Sequence, residues 1–262
     1  MAAGGKAQLP GSNHPDMTEI MPKNAMILAA GFGKRLQPIT DKTPKPMLEV
    51  AGRTLLDHII DHLAASGIER VVINIHHLGS LIEQHISRRT DVEVLISDES
   101  DQILETGGGI AKALPLLGED PFFVINGDIL WLDGPTPALQ RLAYTWDQTR
   151  MDALLLLHST VEAYGYDGRG DFIVDPEGAL IRRPEREISP YLFAGVQILQ
   201  ARSLSEAPVG PFSLNLIYDQ AIEKARLFGL VHDGDWFHIG TAGGLSEAEG
   251  YFRQRFPGIR RR

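Results

Sequence analysis

Residues 26–47 read MILAAGFGKRLQPITDKTPKPM, a continuous apolar run that turns into a glycine-rich loop. The apolar run predicts a strand over 25–30 that is buried on both faces. Gly31 and Gly33 follow it, and such small residues let a backbone curl around an anion and present N–H groups to it. The stretch therefore predicts an α/β fold with an anion site where its first buried strand ends.

The same loop carries fixed positive charge. Arg35 is a permanent planar cation whose geometry suits phosphate oxygens. Lys45 stands between two prolines, which stiffen the segment that holds its ammonium group. Together with the glycines, these cations can bind a triphosphate and stabilise charge that leaves as pyrophosphate. A glycine-rich turn with solvated charges is the other interpretation, since short glycine motifs are weak signals.

Outward from this stretch, short apolar runs alternate with amphipathic segments, which favours a mainly parallel sheet with right-handed crossovers. After about residue 160 the pattern becomes richer in strands. We predict a Rossmann-like, mixed, mainly parallel sheet flanked by helices, with a small β-rich lobe over about 160–240. Strands are expected over 25–30, 70–75, 92–97, 122–127, 152–158 and 191–199, a hairpin over 171–181, a strand pair over 229–241, and helices over 54–67, 78–89, 109–118, 214–227 and 242–256.

Composition narrows the class of protein. The chain has 262 residues, a net charge of −9 and no cysteine. The negative charge argues against non-specific binding to nucleic acid or to an anionic membrane. Without cysteine there is neither a disulfide nor a thiolate metal site, which fits the cytoplasm. We expect a disordered leader over 1–24, one domain over 25–255 and a basic tail over 256–262; the oligomeric state and the true start residue stay open.

A longer pattern carries a family resemblance. Residues 28–60, LAAGFGKRLQPITDKTPKPMLEVAGRTLLDHII, resemble the signature of the sugar-1-phosphate nucleotidylyltransferases, and ETGGGIAKAL (105–114) and NGD (126–128) extend the similarity. The resemblance covers roughly residues 25–250. It implies an enzyme that joins a nucleoside triphosphate to a sugar 1-phosphate and releases pyrophosphate, with Mg²⁺ as cofactor and small molecules as its partners. It also implies that the β-rich lobe over about 160–240 binds the sugar.

The resemblance also assigns roles to residues. Arg35 would steady the leaving phosphates, Lys45 would draw the two reacting phosphates together, and Asp128 would anchor Mg²⁺, although an Asx turn is the ordinary role of an Asp after a strand. Gly107 and Gly108 would contact the base. The alternative is that they only make the start of a helix flexible. The implied nucleotide contacts are Ala29, Ala30, Gly31, Gly33, Lys34, Arg35, Lys45, Glu99, Gly107, Gly108 and Asn126, and the implied sugar contacts are Asn126, Gly170, Asp171, Gly195 and Asn215.

One position departs from the family pattern. The chain reads WFHIGT over 236–241, with His238 where the resemblance leads us to expect a second metal-binding Asp. Neutral imidazole is a poor ligand for Mg²⁺. Three interpretations remain: the metal relies on Asp128, substrate phosphates and water; Asp233 or Asp235 substitutes; or the enzyme is weak or inactive, as a nucleotide-sugar binding or regulatory protein would be.

The run GRGDF (168–172) is similar to the N-acetylmuramate-1-phosphate uridylyltransferases, a branch of the family that recycles cell-wall sugars. Its ordinary role is a turn into the hairpin, with Arg169 as a solvated charge. The branch resemblance implies UTP and N-acetylmuramate 1-phosphate as substrates. Mannose or glucose 1-phosphate with another triphosphate, and phosphocholine with CTP, remain as alternatives.

Overall fold

Residues 20–257 are described by a computed structural model, and the following account concerns these residues alone. Most of the expected leader and of the expected tail lies outside them. Thirteen strands are present among the described residues: β1 Asn24–Leu28, β2 Glu49–Val50, β3 Arg53–Thr54, β4 Arg70–Ile75, β5 Glu93–Asp98, β6 Phe122–Asn126, β7 Ile129–Trp131, β8 Ala153–Ser159, β9 Phe172–Val174, β10 Leu180–Arg182, β11 Tyr191–Leu199, β12 Leu227–Val231 and β13 Trp236–His238.

Six α-helices connect these strands within the described part of the chain. They are α1 Leu55–Ala65, α2 Gly79–Ile86, α3 Glu105–Leu117, α4 Ala138–Thr145, α5 Asn215–Glu223 and α6 Ala242–Arg255. Short 3₁₀ turns at Lys34–Leu36, Ile39–Asp41 and Lys45–Met47 shape the loop after β1. No helix among residues 20–257 is long and apolar enough to cross a membrane.

Nine strands form one mixed sheet, as predicted. Its main path runs β10-β9-β11-β6-β1-β4-β5, and β8 joins β11 to β12. The pairs of β1 with β4 and β6, of β4 with β5 and of β12 with β8 are parallel. The pairs that β11 forms with β6, β8 and β9 are antiparallel. The strands of the β-rich region over 160–240 thus extend the central sheet, except β13, which pairs with β7.

Strand β1 shows why the centre of the sheet is continuously apolar. Ala25 and Ile27 pack on one face with helices α1, α2 and α4, whereas Met26 packs on the other face with α3 and α5. All three residues are fully buried. A strand covered by helices on both sides needs apolar side chains at successive positions, which is the pattern in the sequence.

Helix α1 illustrates how local signals fix an element. Thr54 caps its first turn by accepting the N–H of Asp57 at 3.0 Å. Gly67 follows its end with φ +83°, a backbone conformation that glycine adopts without steric cost. Its buried Leu56, Ile59 and neighbours face the sheet. The predicted helix over 54–67 is confirmed with bounds of 55–65.

The predicted strand pair over 229–241 was wrong in its pairing. Both strands exist, but β12 lies parallel beside β8 and β13 lies antiparallel beside β7. The long-range pairing is favoured over a hairpin because it lets Leu227 and Phe228 of β12 bury their side chains beside β8, six of whose seven residues are buried. The consequence for the site is that β13 brings His238 opposite Ile129, one residue after Asp128.

Candidate active site

A cavity of about 260 Å³ lies at the carboxyl ends of β1, β4, β5 and β6. Ligands of open α/β sheets bind at this edge because the strands end there and the loops diverge. The loop after β1 and the start of α3 form its walls. Eight of the residues expected from the sequence line it: Ala29, Ala30, Gly31, Gly33, Lys45, Glu99, Asn126 and Asp128.

An ion pair crosses this cavity. Lys45 Nζ lies 2.6 Å from Asp128 Oδ2, and the two side chains are 11% and 28% exposed. Asp128 follows β6. Just past the end of this strand, Gly127 N donates to Leu28 O at 2.9 Å, which continues the pairing of β6 with β1. Lys45 comes from a 3₁₀ turn that begins after Pro44. The two residues that the sequence singled out therefore meet at one point.

The carboxyl group of Asp128 is held in its ionised form. Burial by itself raises its pKa, but the His238 ring and the charge of Lys45 outweigh burial and hold the pKa well below its usual value. An ionised carboxylate at this edge of the sheet can bind a divalent ion, and that ion can in turn bind phosphate oxygens.

His238 is placed beside Asp128 by the pairing of β13 with β7. Its Nε2 lies 3.8 Å from Asp128 Oδ2. The ring stacks on Trp236, and a Cβ built on Gly240 would fall 2.4 Å from its Cε1, so Gly240 leaves the space that the ring occupies. His238 thus stands where the resemblance leads us to expect a second carboxylate.

Neither neighbouring aspartate takes over that position. Asp233 Oδ1 lies 2.7 Å from Arg141 Nη1, and Asp235 Oδ2 accepts the Tyr251 hydroxyl at 2.5 Å. Both carboxylates are engaged elsewhere, and neither lines the cavity. In this structure, therefore, neither Asp233 nor Asp235 is placed to replace the expected ligand.

The side chains at this edge of the sheet offer few ligands to a divalent ion. Among residues 20–257 there is no group of three or more His, Cys, Asp or Glu side chains that could hold a metal. Asp128, an ionised carboxylate, lines the cavity beside Lys45 and the glycine-rich backbone, and Glu99 and Glu105 also line it. Mg²⁺ commonly needs one or two carboxylates together with substrate phosphates, so these residues fit such an ion.

A buried link that sequence reasoning missed ties the two walls of the cavity together. Asn74 Oδ1 accepts the Ala29 N–H at 2.7 Å, and Asn74 Nδ2 donates to Glu99 Oε1 at 2.7 Å. Glu99 Oε2 accepts the Leu104 N–H at 2.9 Å. Asn74 and Glu99 are 2% and 1% exposed. The signal was present in the sequence, because Asn74 is the one uncharged polar residue inside the apolar run RVVINI.

Two of the expected cations stand outside the cavity. Arg35 is exposed on the 3₁₀ turn Lys34–Leu36. Lys34 Nζ lies 5.5 Å from the centre of the Phe32 ring. Neither residue lines the cavity, whereas Lys45 does. The loop after β1 therefore brings its glycines and Lys45 together and leaves Arg35 and Lys34 at the surface.

The glycines of α3 pack against protein. The N–H groups of Gly107 and Gly108 donate to Phe212 O at 2.9 and 3.2 Å. A Cβ on Gly107 would lie 2.3 Å from the Phe212 ring, and one on Gly108 would lie 2.4 Å from Gly210 O. Neither glycine lines the cavity, where Glu105 and Thr106 of the same helix stand instead. In this structure, the lack of side chains at these two glycines lets the segment 210–212 pack closely against α3.

The residues expected at the sugar contact different parts of the protein. Gly195, at φ +76°, lies so close to Asn126 that a Cβ there would be 3.0 Å from its Nδ2. Asp171 Oδ2 accepts the Phe193 N–H at 2.8 Å, which fixes the irregular part of β11.

Farther along this region, Gly170 N donates to the Tyr166 hydroxyl at 3.0 Å, so Gly170 is part of the turn around that phenol. Asn215 is exposed at the start of α5, where its Oδ1 accepts from Arg182 Nη2 at 3.0 Å. Only Asn126 of the expected sugar contacts lines the cavity among the described residues.

Comparison with known proteins identifies relatives over most of the chain. The N-acetylmuramate alpha-1-phosphate uridylyltransferase of Caulobacter vibrioides is 40% identical over 223 residues, which are 84% of this chain and 92% of that protein. The protein of the same name from Neisseria meningitidis serogroup B is 37% identical over 86% of this chain and 96% of its own length.

Solved structures agree in fold. UDP-glucose pyrophosphorylase complexed with UDP-glucose superposes with a TM-score of 0.71 at 19% identity, over 90% of this chain and 100% of that chain. The nucleotidyl transferase family matches residues 24–252, which include every strand and every side chain of the cavity described above. This chain belongs to the nucleotidyl transferase family.

Proposed function

We propose that this enzyme transfers a uridylyl group from UTP to N-acetylmuramate 1-phosphate, giving UDP-N-acetylmuramate and pyrophosphate in the cytoplasm, as a step of cell-wall sugar recycling. The substrates named for the two bacterial relatives support this choice. A small-molecule reaction also suits an acidic protein, whose net charge of −9 disfavours non-specific binding to nucleic acid.

The observation that carries the proposal is the Lys45–Asp128 pair inside the cavity. It places a cation and an ionised carboxylate beside a stretch of backbone whose Gly31 and Gly33 lie open to a ligand. A triphosphate offers oxygens for Lys45 and for the loop amides. We infer that Lys45 exchanges Asp128 for phosphate oxygens when the nucleotide binds.

In the reaction, an oxygen of the sugar phosphate attacks the α-phosphorus in line. The new P–O bond forms as the bond from the α-phosphorus to the bridging oxygen breaks, and pyrophosphate leaves with that electron pair. No protein nucleophile is required, because the phosphate dianion is itself a competent one. The enzyme contributes positioning and charge neutralisation, with Lys45 between the reacting phosphates and Arg35 on the leaving group.

Nucleotidyl transferases of this family generally use a divalent metal. We propose Mg²⁺ as that ion, held by Asp128 with substrate phosphates and water as the further ligands. When bound, it would neutralise charge that develops on the phosphate oxygens.

The test is pyrophosphate release from UTP with N-acetylmuramate 1-phosphate, measured beside GTP, CTP and dTTP and beside mannose 1-phosphate, glucose 1-phosphate and phosphocholine. We expect the highest kcat/KM for the first pair. A higher value for another pair would correct the substrate, and no release with any pair under Mg²⁺, Mn²⁺ or Co²⁺ would leave only a binding function.

A further inference from the structure

Two side chains with metal-binding atoms converge beside the cavity, which Asp128 lines and His238 does not. Asp128 comes from the end of β6 and His238 from the end of β13, and their nearest atoms, Oδ2 and Nε2, are 3.8 Å apart. Ligand distances of about 2.0–2.2 Å allow one ion to bridge two donors up to about 4.2 Å apart. One ion can therefore contact both atoms without a change of backbone.

The ring of His238 is held in this position from two sides. Trp236 stacks on it with an angle of 15° between the ring planes. Gly240 lies against Cε1 and Nε2 of the His238 ring, since a Cβ at this glycine would come within 2.4 Å and 2.6 Å of these two atoms. The side chain as a whole is 21% exposed, so the ring is not closed off from solvent.

Lys45 decides when such an ion can bind. Its Nζ contacts the same Asp128 oxygen at 2.6 Å, and a second cation there would repel it. Phosphate oxygens give Lys45 another partner, so the ion and the triphosphate are expected to bind together.

We propose that His238 is a nitrogen ligand of the divalent ion, shared with Asp128, and that it shifts the preference of this site from Mg²⁺ toward metals that accept imidazole, such as Co²⁺. Carboxylate, phosphate and water ligands suit Mg²⁺, whereas imidazole suits transition metals. Mg²⁺ still binds through Asp128 and the phosphates, but Co²⁺ gains one more ligand. This inference rests on the proposed function only in requiring a bound triphosphate.

The chain offers a matched control pair. His62 Nδ1 lies 3.5 Å from Asp133 Oδ2, and the His62 ring stacks on Trp131 with centroids 4.3 Å apart. This second His–Asp pair has a similar separation, but neither of its residues lines the cavity, whereas Asp128 of the proposed site does. A signal from the proposed site must therefore depend on His238 and not on His62.

The experiment is electron spin-echo envelope modulation of Mn²⁺ bound to the full chain with UTP, and in parallel with GTP, CTP and dTTP, in the absence of a sugar phosphate. We expect ¹⁴N modulation typical of a directly bound imidazole in the unmodified protein and in His62→Gln, and its loss in His238→Asp. The ratio of Co²⁺ to Mg²⁺ affinity should fall at least about tenfold in His238→Asp.

A second pair of variants tests the ring position without replacing the ligand. Gly240→Ala places a methyl group on the His238 ring and should abolish the nitrogen signal, whereas Gly243→Ala, whose Cβ meets nothing closer than 3.7 Å, should keep it. Circular dichroism verifies that each variant folds, and Gly240→Ala provides the test if His238→Asp does not.

The outcomes separate this inference from the proposed function. Absence of imidazole coupling in an unmodified protein that turns over substrates would overturn the metal assignment and leave the function standing. A signal lost in His62→Gln but kept in His238→Asp would also overturn it. Imidazole coupling with a bound triphosphate but no turnover of any pair would support the ligand assignment while rejecting the function.

Discussion

Lys45 and Asp128 are 83 positions apart in the chain, yet Lys45 Nζ donates to Asp128 Oδ2 at 2.6 Å. One comes from the stiff turn after β1 and the other from the loop after β6, and β1 and β6 are parallel neighbours in the sheet. The parallel order of two central strands therefore assembles the site, because it brings their two exit loops to one edge.

Replacing the two proposed phosphate-binding cations should remove most of the activity. We expect Lys45→Ala and Arg35→Ala each to lower turnover at least about a hundredfold, as loss of a transition-state charge contact does. Because Arg35 is exposed here, its effect also tests whether the loop moves onto the substrate. Steady-state pyrophosphate release measures both, with Lys42→Ala as an exposed control on the same loop that should keep normal rates. Near-normal rates in Lys45→Ala and Arg35→Ala would refute their roles.

The two glycines of the loop should respond differently to a methyl group. Gly31→Ala meets no atom within 4 Å, so its unfolding free energy should change by less than about 0.5 kcal/mol. The KM for UTP should nevertheless rise about tenfold, since the methyl group occupies space open to the phosphates. Gly33 has φ +63°, and a Cβ at this position would lie 2.8 Å from Thr40 Cγ2. Gly33→Ala should therefore lose about 1–2 kcal/mol of stability. Urea unfolding and UTP kinetics on both variants separate the effects; an unchanged KM in Gly31→Ala would argue against phosphate approach at that residue.

Asn74 should be important for both stability and nucleotide affinity. Asn74→Ala leaves the Ala29 N–H and Glu99 Oε1 without their present partner, and should cost at least about 2 kcal/mol of unfolding free energy. It should also raise the KM for UTP, because Ala29 and Glu99 line the cavity. Asn24→Ala, which loses a bond to Leu117 O far from the cavity, is the control and should leave the KM unchanged. Equal KM effects in both variants would contradict a local role for Asn74.

Acid should weaken one surface network in a defined pH range. Burial raises the pKa of Asp57, but its bonds with Thr54, His85 and Arg89 outweigh burial and lower it. Since the folded-state pKa is below the unfolded value of about 3.9, this stabilisation is complete above about pH 4 and is lost as the pH falls through the folded-state pKa. The difference in unfolding free energy between the unmodified protein and Asp57→Asn should be larger at pH 7 than at pH 3. A difference that grows on acidification would reverse the predicted sign.

The central strands could be predicted from the sequence because each is a long apolar run. Strands over 70–75 and 191–199 were predicted with the bounds that the structure has. The small sheets β2–β3 and β7–β13 were missed as such, since strands of two or three residues show no periodicity. Their partners are distant in sequence, and nothing local specifies that β13 pairs with β7.

The site shows the same difference between features that local sequence patterns predict and features that depend on long-range packing. Backbone motifs such as the glycine loop and NGD were found from short patterns, and Lys45 and Asp128 indeed meet. Arg35 and the glycines of α3 belong to motifs that are equally clear in the sequence. Whether these residues face the cavity depends on loop packing, as the contact of Gly107 with Phe212 shows. Short motifs thus predicted which loops form the site better than which side chains face it.

The most direct test of the central claim is a crystal structure of the protein soaked with UTP and a divalent ion. We expect the triphosphate to lie against the amides of residues 31–33, with Lys45 Nζ moved from Asp128 onto phosphate oxygens and the ion beside Asp128. A nucleotide bound at another place, with the glycine loop open to solvent and the Lys45–Asp128 pair intact, would contradict it.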